Sequence, residues 1–146
     1  MSLFRPQLWR IPTTGEAERR RLSELTATLE TRLKHIARRY PQAVFASSLA
    51  VEDMIITDAI CRLKLPLRII TLDTGKLNPE TAALITAVNV RYQTELEVFH
   101  PDPESARQFE QEFGATAMYD NVKLRHRCCH IRKIEPLNRA LKNAPA

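Results

Sequence analysis

At 146 residues, 44% of them hydrophobic, the chain fits one domain with a true core, which excludes an intrinsically disordered protein. No apolar run approaches a membrane span and no signal-peptide pattern opens the chain, so the sequence points to the cytoplasm. The formal net charge of +5 favours anionic partners, nucleotides and nucleic acid alike.

Residues 1–14 carry Pro6 and Pro12 and read as an irregular arm. From Gly15 to Tyr40, Leu22, Leu25, Leu29, Leu33, Ile36 and Tyr40 recur at three- and four-residue steps, the pattern of an amphipathic helix that Pro41 stops. Its many arginines read as a solvated face. Ala43 to Ser47 is a short apolar run suited to a buried strand. It leads through Ser48-Leu49-Ala50 into a helix with Ile55, Ile56, Ala59, Ile60 and Leu63 on one side.

Leu67 to Leu72 predicts a second strand, and Asp73 to Pro79 a loop punctuated by Gly75 and Pro79. Pro79 suits the first turn of the next helix. Leu96 to Phe99 predicts a third strand, and a short helix through Phe109 and Phe113 stops at Gly114. Helix resumes from Asn121, with an interruption near Pro136. Strands alternating with helices imply parallel βαβ units, hence a three-layer α/β domain. Three strands are few for a sheet covered on both faces, so the sheet reads as incomplete.

The chemistry concentrates in Arg127-Cys128-Cys129-His130-Ile131-Arg132-Lys133. Cations beside a cysteine favour the thiolate, the nucleophilic and metal-binding form. Three cysteines leave one unpaired in any disulfide scheme, and cytosolic thiols are mostly reduced. Cys128 and Cys129 are open to four readings: buried structural residues, half of a zinc site, a vicinal disulfide, or ligands of a cluster. Zinc motifs usually separate paired cysteines by two to four residues, which disfavours the second. Cys61 reads as a buried helical residue, and His126 and His130 as surface residues.

In open α/β sheets ligands bind outside the carboxyl ends of the strands. That edge would display Ser47, Ser48 and Asp53 from one loop and Asp73, Thr74, Gly75 and Lys76 from the next. Helix-start N–H groups after Ser48 suit a phosphate or sulfate. Neither standard glycine-rich phosphate fingerprint is present, and serines that merely cap a helix would look the same.

Three segments together carry a family resemblance. Phe45 to Asp53 resembles the nucleotide loop of the sulfonucleotide reductases. Leu72 to Thr81 is similar to their second substrate loop, and Arg127 to Leu137 to their double-cysteine segment. The resemblance implies an adenine nucleotide α-hydrolase-like (Rossmann-like) fold binding adenosine 5′-phosphosulfate (APS) or its 3′-phosphorylated form (PAPS). It implies reduction of APS to sulfite and AMP in sulfate assimilation and cysteine biosynthesis, with thioredoxin or glutaredoxin as donor. PAPS reduction, or a non-catalytic nucleotide or nucleic-acid binding module, is the alternative; nucleic acid and membrane are not expected partners, and a homo-oligomer is left open.

Residue by residue, the resemblance puts Ser47, Ser48 and Asp53 in the nucleotide loop. Leu72, Asp73, Thr74 and Gly75 fall on the adenosine side, with Lys76 at a usually basic position. Lys123 or Arg125 would carry charge towards the phosphosulfate. Cys128 and Cys129 would supply two ligands of a 4Fe–4S cluster, typical of the APS-preferring branch. Ala50 stands where many members have glycine, which narrows backbone freedom in the loop. The family's later cysteine pair and its nucleophilic tail cysteine fall beyond Ala146. Residues 15–146 therefore read as the N-terminal part of a reductase domain, without turnover of its own.

Overall fold

The computed structural model describes residues 13–146, so the arm expected over residues 1–14 lies almost wholly outside the described residues. The chain divides into two compact units after Arg32. The first helix, α1 (Glu16–Arg39), begins in one unit and ends in the other. Its threonines solve their usual helical problem locally: the hydroxyls of Thr26, Thr28 and Thr31 donate to the carbonyls four residues back at 2.8 Å. The expected apolar face is helical but little buried. Leu33 and Ala37 are buried, whereas Leu22 and Leu25 are exposed, because periodicity fixes a face without supplying a neighbour to cover it.

The second unit, Leu33 to Ala146, holds the sheet. Strands β1 (Val44–Ser47), β2 (Arg68–Leu72) and β3 (Glu97–Phe99) pair in parallel in the order β1-β2-β3. The register sets Ser47 beside Thr71, and Leu72 beside Phe99. The crossovers are α2 (Val51–Arg62) and α3 (Pro79–Tyr92), which pack on each other. Two crossovers of the same hand, moving the same way across a sheet, leave both helices on one face. On β2, successive residues Ile69, Ile70 and Thr71 are all buried. Neighbouring strand residues point to opposite faces, so both faces are covered. The three strands, and the three-layer parallel α/β class, are thus as the sequence predicts.

Local chemistry explains where the helices start. Asn78, followed by Pro79, caps α3 by accepting the Thr81 N–H at 2.7 Å. Asp102, followed by Pro103, caps α4 (Pro103–Phe113) by accepting both the N–H and the hydroxyl of Ser105 at 2.8 Å. Asn121 caps α5 (Val122–Cys129) through the Leu124 N–H at 2.9 Å. Between α4 and α5, Ala117 joins Phe109 and Cys128 in a small apolar core, flanked by Phe113, Met118, Leu124 and Ile131.

From α5 the chain passes through a π-helical turn, His130–Ile134, into α6 (Glu135–Leu141), which lies against β2 and β3. The interruption expected near Pro136 is this turn. Pro136 has no N–H for the carbonyl of Arg132, and its ring would crowd that carbonyl in a regular α-turn. Widening the preceding turn to i→i+5 bonding relieves both conflicts without ending the helix.

Candidate functional site

The carboxyl ends of β1 and β2 open into a cavity of about 290 Å³. Ser47, Ser48 and Leu49 line it from the first loop, Leu72, Thr74 and Leu77 from the second, and Lys133 and Leu137 from the helix behind. The hydroxyl of Thr71 donates to the Ser47 carbonyl at 2.9 Å and holds the ends of the two strands together.

The first loop is tightly tied to itself. The Asp53 carboxylate accepts from both the N–H and the hydroxyl of Ser48 at 2.6 Å. Ser47 accepts the Leu49 N–H at 3.1 Å. Leu49 is buried with φ 64°, a left-handed conformation uncommon for a bulky side chain. Ala50 is instead extended at φ −72° and ψ 166°, where alanine carries no strain. The left-handed backbone therefore falls on Leu49, one residue before Ala50. Ala50 supplies no side-chain cap to α2, so the first-turn N–H groups of that helix face this edge without one.

The second loop is held from several sides. Asp73 accepts the Gly75 N–H at 2.9 Å, and its other carboxylate oxygen lies 3.9 Å from Nδ1 of His100. The Thr74 hydroxyl accepts the Lys76 N–H at 3.2 Å. Lys76 turns its ammonium to Glu110 on α4 at 2.8 Å and to the Ala115 carbonyl at 3.2 Å. The hydrogen bond from Lys76, together with the charges of Lys76 and Arg132, holds the Glu110 carboxyl below its usual range.

A second cavity, about 250 Å³, lies against the cysteines. Lys76, Arg125, Cys128, Cys129 and Arg132 line it, and Thr74, Leu77 and Lys133 are shared with the first cavity. The two cavities adjoin through these shared residues, and the first is of the size at which ligand pockets usually begin, roughly 300 Å³. Cys128 is buried in the small apolar core, Cys129 is half-buried, and both are free thiols.

The predicted residues therefore separate into groups. Ser47, Ser48, Leu72 and Thr74 line the first cavity, and Lys76, Arg125, Cys128 and Cys129 the second. Asp53, Asp73 and Gly75 shape the loops from behind rather than lining either cavity. Lys123 is exposed on α5 and lines neither. Lys133, which sequence reasoning passed over as a ligand-facing residue, lines both. Its signal was its spacing: four residues after Cys129 on one helix, it shares that residue's face.

A four-iron cluster takes four thiolates. Cys128 and Cys129 are adjacent, and no group of three or more His, Cys, Asp or Glu side chains converges to hold a metal among the described residues. The pair fits half of such a site, and the described residues do not complete it.

The model of the phosphoadenosine phosphosulfate reductase domain matches residues 42–146. The chain belongs to that family. A relative from Neisseria meningitidis serogroup B, named adenosine 5′-phosphosulfate reductase, is 44% identical over 146 residues, covering 99% of this chain and 59% of its own length. One of the same name from Burkholderia cepacia is 46% identical over 118 residues, covering 81% of this chain and 47% of its own length. The chain thus spans about 60% or less of the length of these relatives. A crystal structure of phosphoadenylyl-sulfate reductase from Candida auris, a phosphate complex, superposes with a TM-score of 0.66 at 23% identity. It covers 89% of this chain and 64% of the other, so the two chains share a fold. The matched span, which starts at Gln42, contains both loops and the cysteine segment.

Proposed function

We propose that this chain carries the sulfonucleotide-binding part of a thioredoxin-dependent adenosine 5′-phosphosulfate reductase, working in the cytoplasm in sulfate assimilation. The observation that carries the reading is the double cavity: two strand-end loops and the cysteine helix meet at Thr74, Leu77 and Lys133. The 44% identity to a relative named for APS favours APS over its 3′-phosphorylated form. No helix among the described residues is long and apolar enough to cross a membrane.

On this reading, Ser47, Ser48 and the first turn of α2 hold the phosphosulfate, and Leu72, Thr74 and Leu77 flank the adenosine. Lys133 and Arg125 balance charge between the two cavities. Helix-start N–H groups and fixed cations stabilise charge that develops on a departing phosphate. The reaction is a two-electron reduction. A thiolate attacks sulfur, the sulfur–oxygen bond to phosphate breaks, and AMP leaves with that electron pair. A thiol donor then attacks the resulting thiosulfonate, forming a disulfide and releasing sulfite. We assign the nucleophile to none of Cys61, Cys128 and Cys129. Cys61 is half-buried with its thiol pushed up by burial and by Asp58, which disfavours the thiolate. Cys128 and Cys129 are assigned as two ligands of a 4Fe–4S cluster in a fuller assembly; such a cluster would add charge and redox-active iron beside the phosphosulfate.

Thermal-shift titration tests the reading. AMP and APS should raise Tm, and an unrelated oligonucleotide should not. A rise only with a 3′-phosphorylated nucleotide would move the assignment to PAPS. A rise only with the oligonucleotide would replace it with nucleic-acid binding.

A further inference from the structure

Arg132 is buried on the π-helical turn between the cysteines and Pro136. A buried guanidinium is costly unless its donors are met by well-aligned acceptors. Here Nη1 donates to the Thr74 carbonyl at 2.8 Å and Nη2 to the Glu110 carboxylate at 2.7 Å. The same carboxylate oxygen takes the Lys76 ammonium at 2.8 Å. One side chain thus ties together the second ligand loop, α4 and the cysteine-bearing helix. Its rigid fork suits that task better than a flexible ammonium would. Gly75 leaves room for it, since a Cβ there would sit 3.1 Å from Nη1.

Resting on the nucleotide-site reading above, we propose that Arg132 is a positioning residue that couples the two cavities. By fixing the Thr74–Lys76 loop against the helix of Cys128 and Cys129, it makes ligand occupancy on the loop side alter the access and reactivity of the cysteine pair. Coupling of this kind is reciprocal in equilibrium terms: the factor by which AMP shifts the pair between shielded and accessible states equals the factor by which that state shifts AMP affinity.

The test uses this 146-residue chain. Alkylation of Cys129 by iodoacetamide is followed by site-resolved mass spectrometry with and without saturating AMP, and hydrogen exchange is followed at the amides of Gly75 and Lys76. In the unsubstituted chain AMP should change the alkylation rate about fivefold, the low end of ordinary allosteric coupling. Arg132→Met should abolish that ratio and speed exchange in the loop, Arg132→Lys should restore part of both, and Glu110→Gln should fall between. If Arg132→Met does not fold, Arg132→Lys and Glu110→Gln decide. The proposal is overturned if folded variants keep the unsubstituted exchange rates and AMP effect, or if bound AMP leaves Cys129 unchanged in the unsubstituted chain. Absence of AMP binding would instead refute the nucleotide reading, and loop exchange in the variants would still decide whether Arg132 positions the loop.

Discussion

Replacing Gly75 by alanine probes the second loop at its tightest point. Its φ of 68° is left-handed, which costs an alanine about 1–2 kcal/mol. That cost alone is bearable: Gln42, Leu49, Lys64 and Gln93 adopt similar angles in the same chain. The added Cβ would also meet Nη1 of Arg132 at 3.1 Å, so the guanidinium must give by a few tenths of an ångström. Its hydrogen bond to Thr74 is charge-assisted, and such bonds contribute about 1.5–3 kcal/mol net, part of which would be lost. Gly75→Ala should therefore destabilise the chain by about 1–3 kcal/mol and weaken AMP binding about tenfold. Gly114→Ala is the control. Its φ of 94° and ψ of 157° lie in a region open almost only to glycine, costing about 1–3 kcal/mol, but an added Cβ meets nothing within 4 Å. Urea denaturation with calorimetric AMP titration separates the two. Similar stability losses with impaired AMP binding only in Gly75→Ala are expected. Equal AMP affinities in both variants would refute the argument.

Three further outcomes follow from the same geometry. Lys133→Met should weaken AMP binding about tenfold or more by calorimetry, while changing urea-unfolding stability by less than about 0.5 kcal/mol, because this exposed side chain lines both cavities. Ile70→Ala, at a fully buried site in the central strand, should cost about 2–5 kcal/mol in urea unfolding. The acid limb of Tm against pH should reflect Glu110 and Glu97, each held below its usual value of 4.5 chiefly by a hydrogen bond, from Lys76 and Arg68 respectively. A carboxyl depressed in the folded state adds stability above 4.5 and loses it as pH falls through its folded pKa. Glu110→Gln should thus be less stable than the unsubstituted chain at pH 7, with the difference shrinking as pH falls below 4.5 and through the folded pKa.

Local pattern made the strands and helices legible, because apolar period, proline and capping residues act within a few positions of one another. Phe45 to Asp53 and Leu72 to Thr81 could be aligned at one sheet edge because parallel pairing leaves no other place for them. Tertiary partners were not legible. Lys76 lines the second cavity as a cation should, but its pairing with Glu110, thirty-odd residues later on α4, was not visible in the sequence. Asp53 read as suited both to a ligand and to its own loop, and its bonds from the Ser48 N–H and hydroxyl show how it ties that loop. Lys123 and Lys133 are equally basic in sequence. The helix containing the π turn brings Lys133 to both cavities and leaves Lys123 on the exposed side. The apolar stripe of α1 has the right period, yet among the described residues Leu22 and Leu25 stay exposed, something a period cannot report.

Amide NMR of the chain titrated with AMP tests the central claim most directly. The largest shifts are expected at Ser47, Ser48, Leu49, Thr74, Leu77 and Lys133, all of which line the strand-end cavity. Shifts concentrated instead on the arginines of α1, or none at saturating AMP, would contradict it.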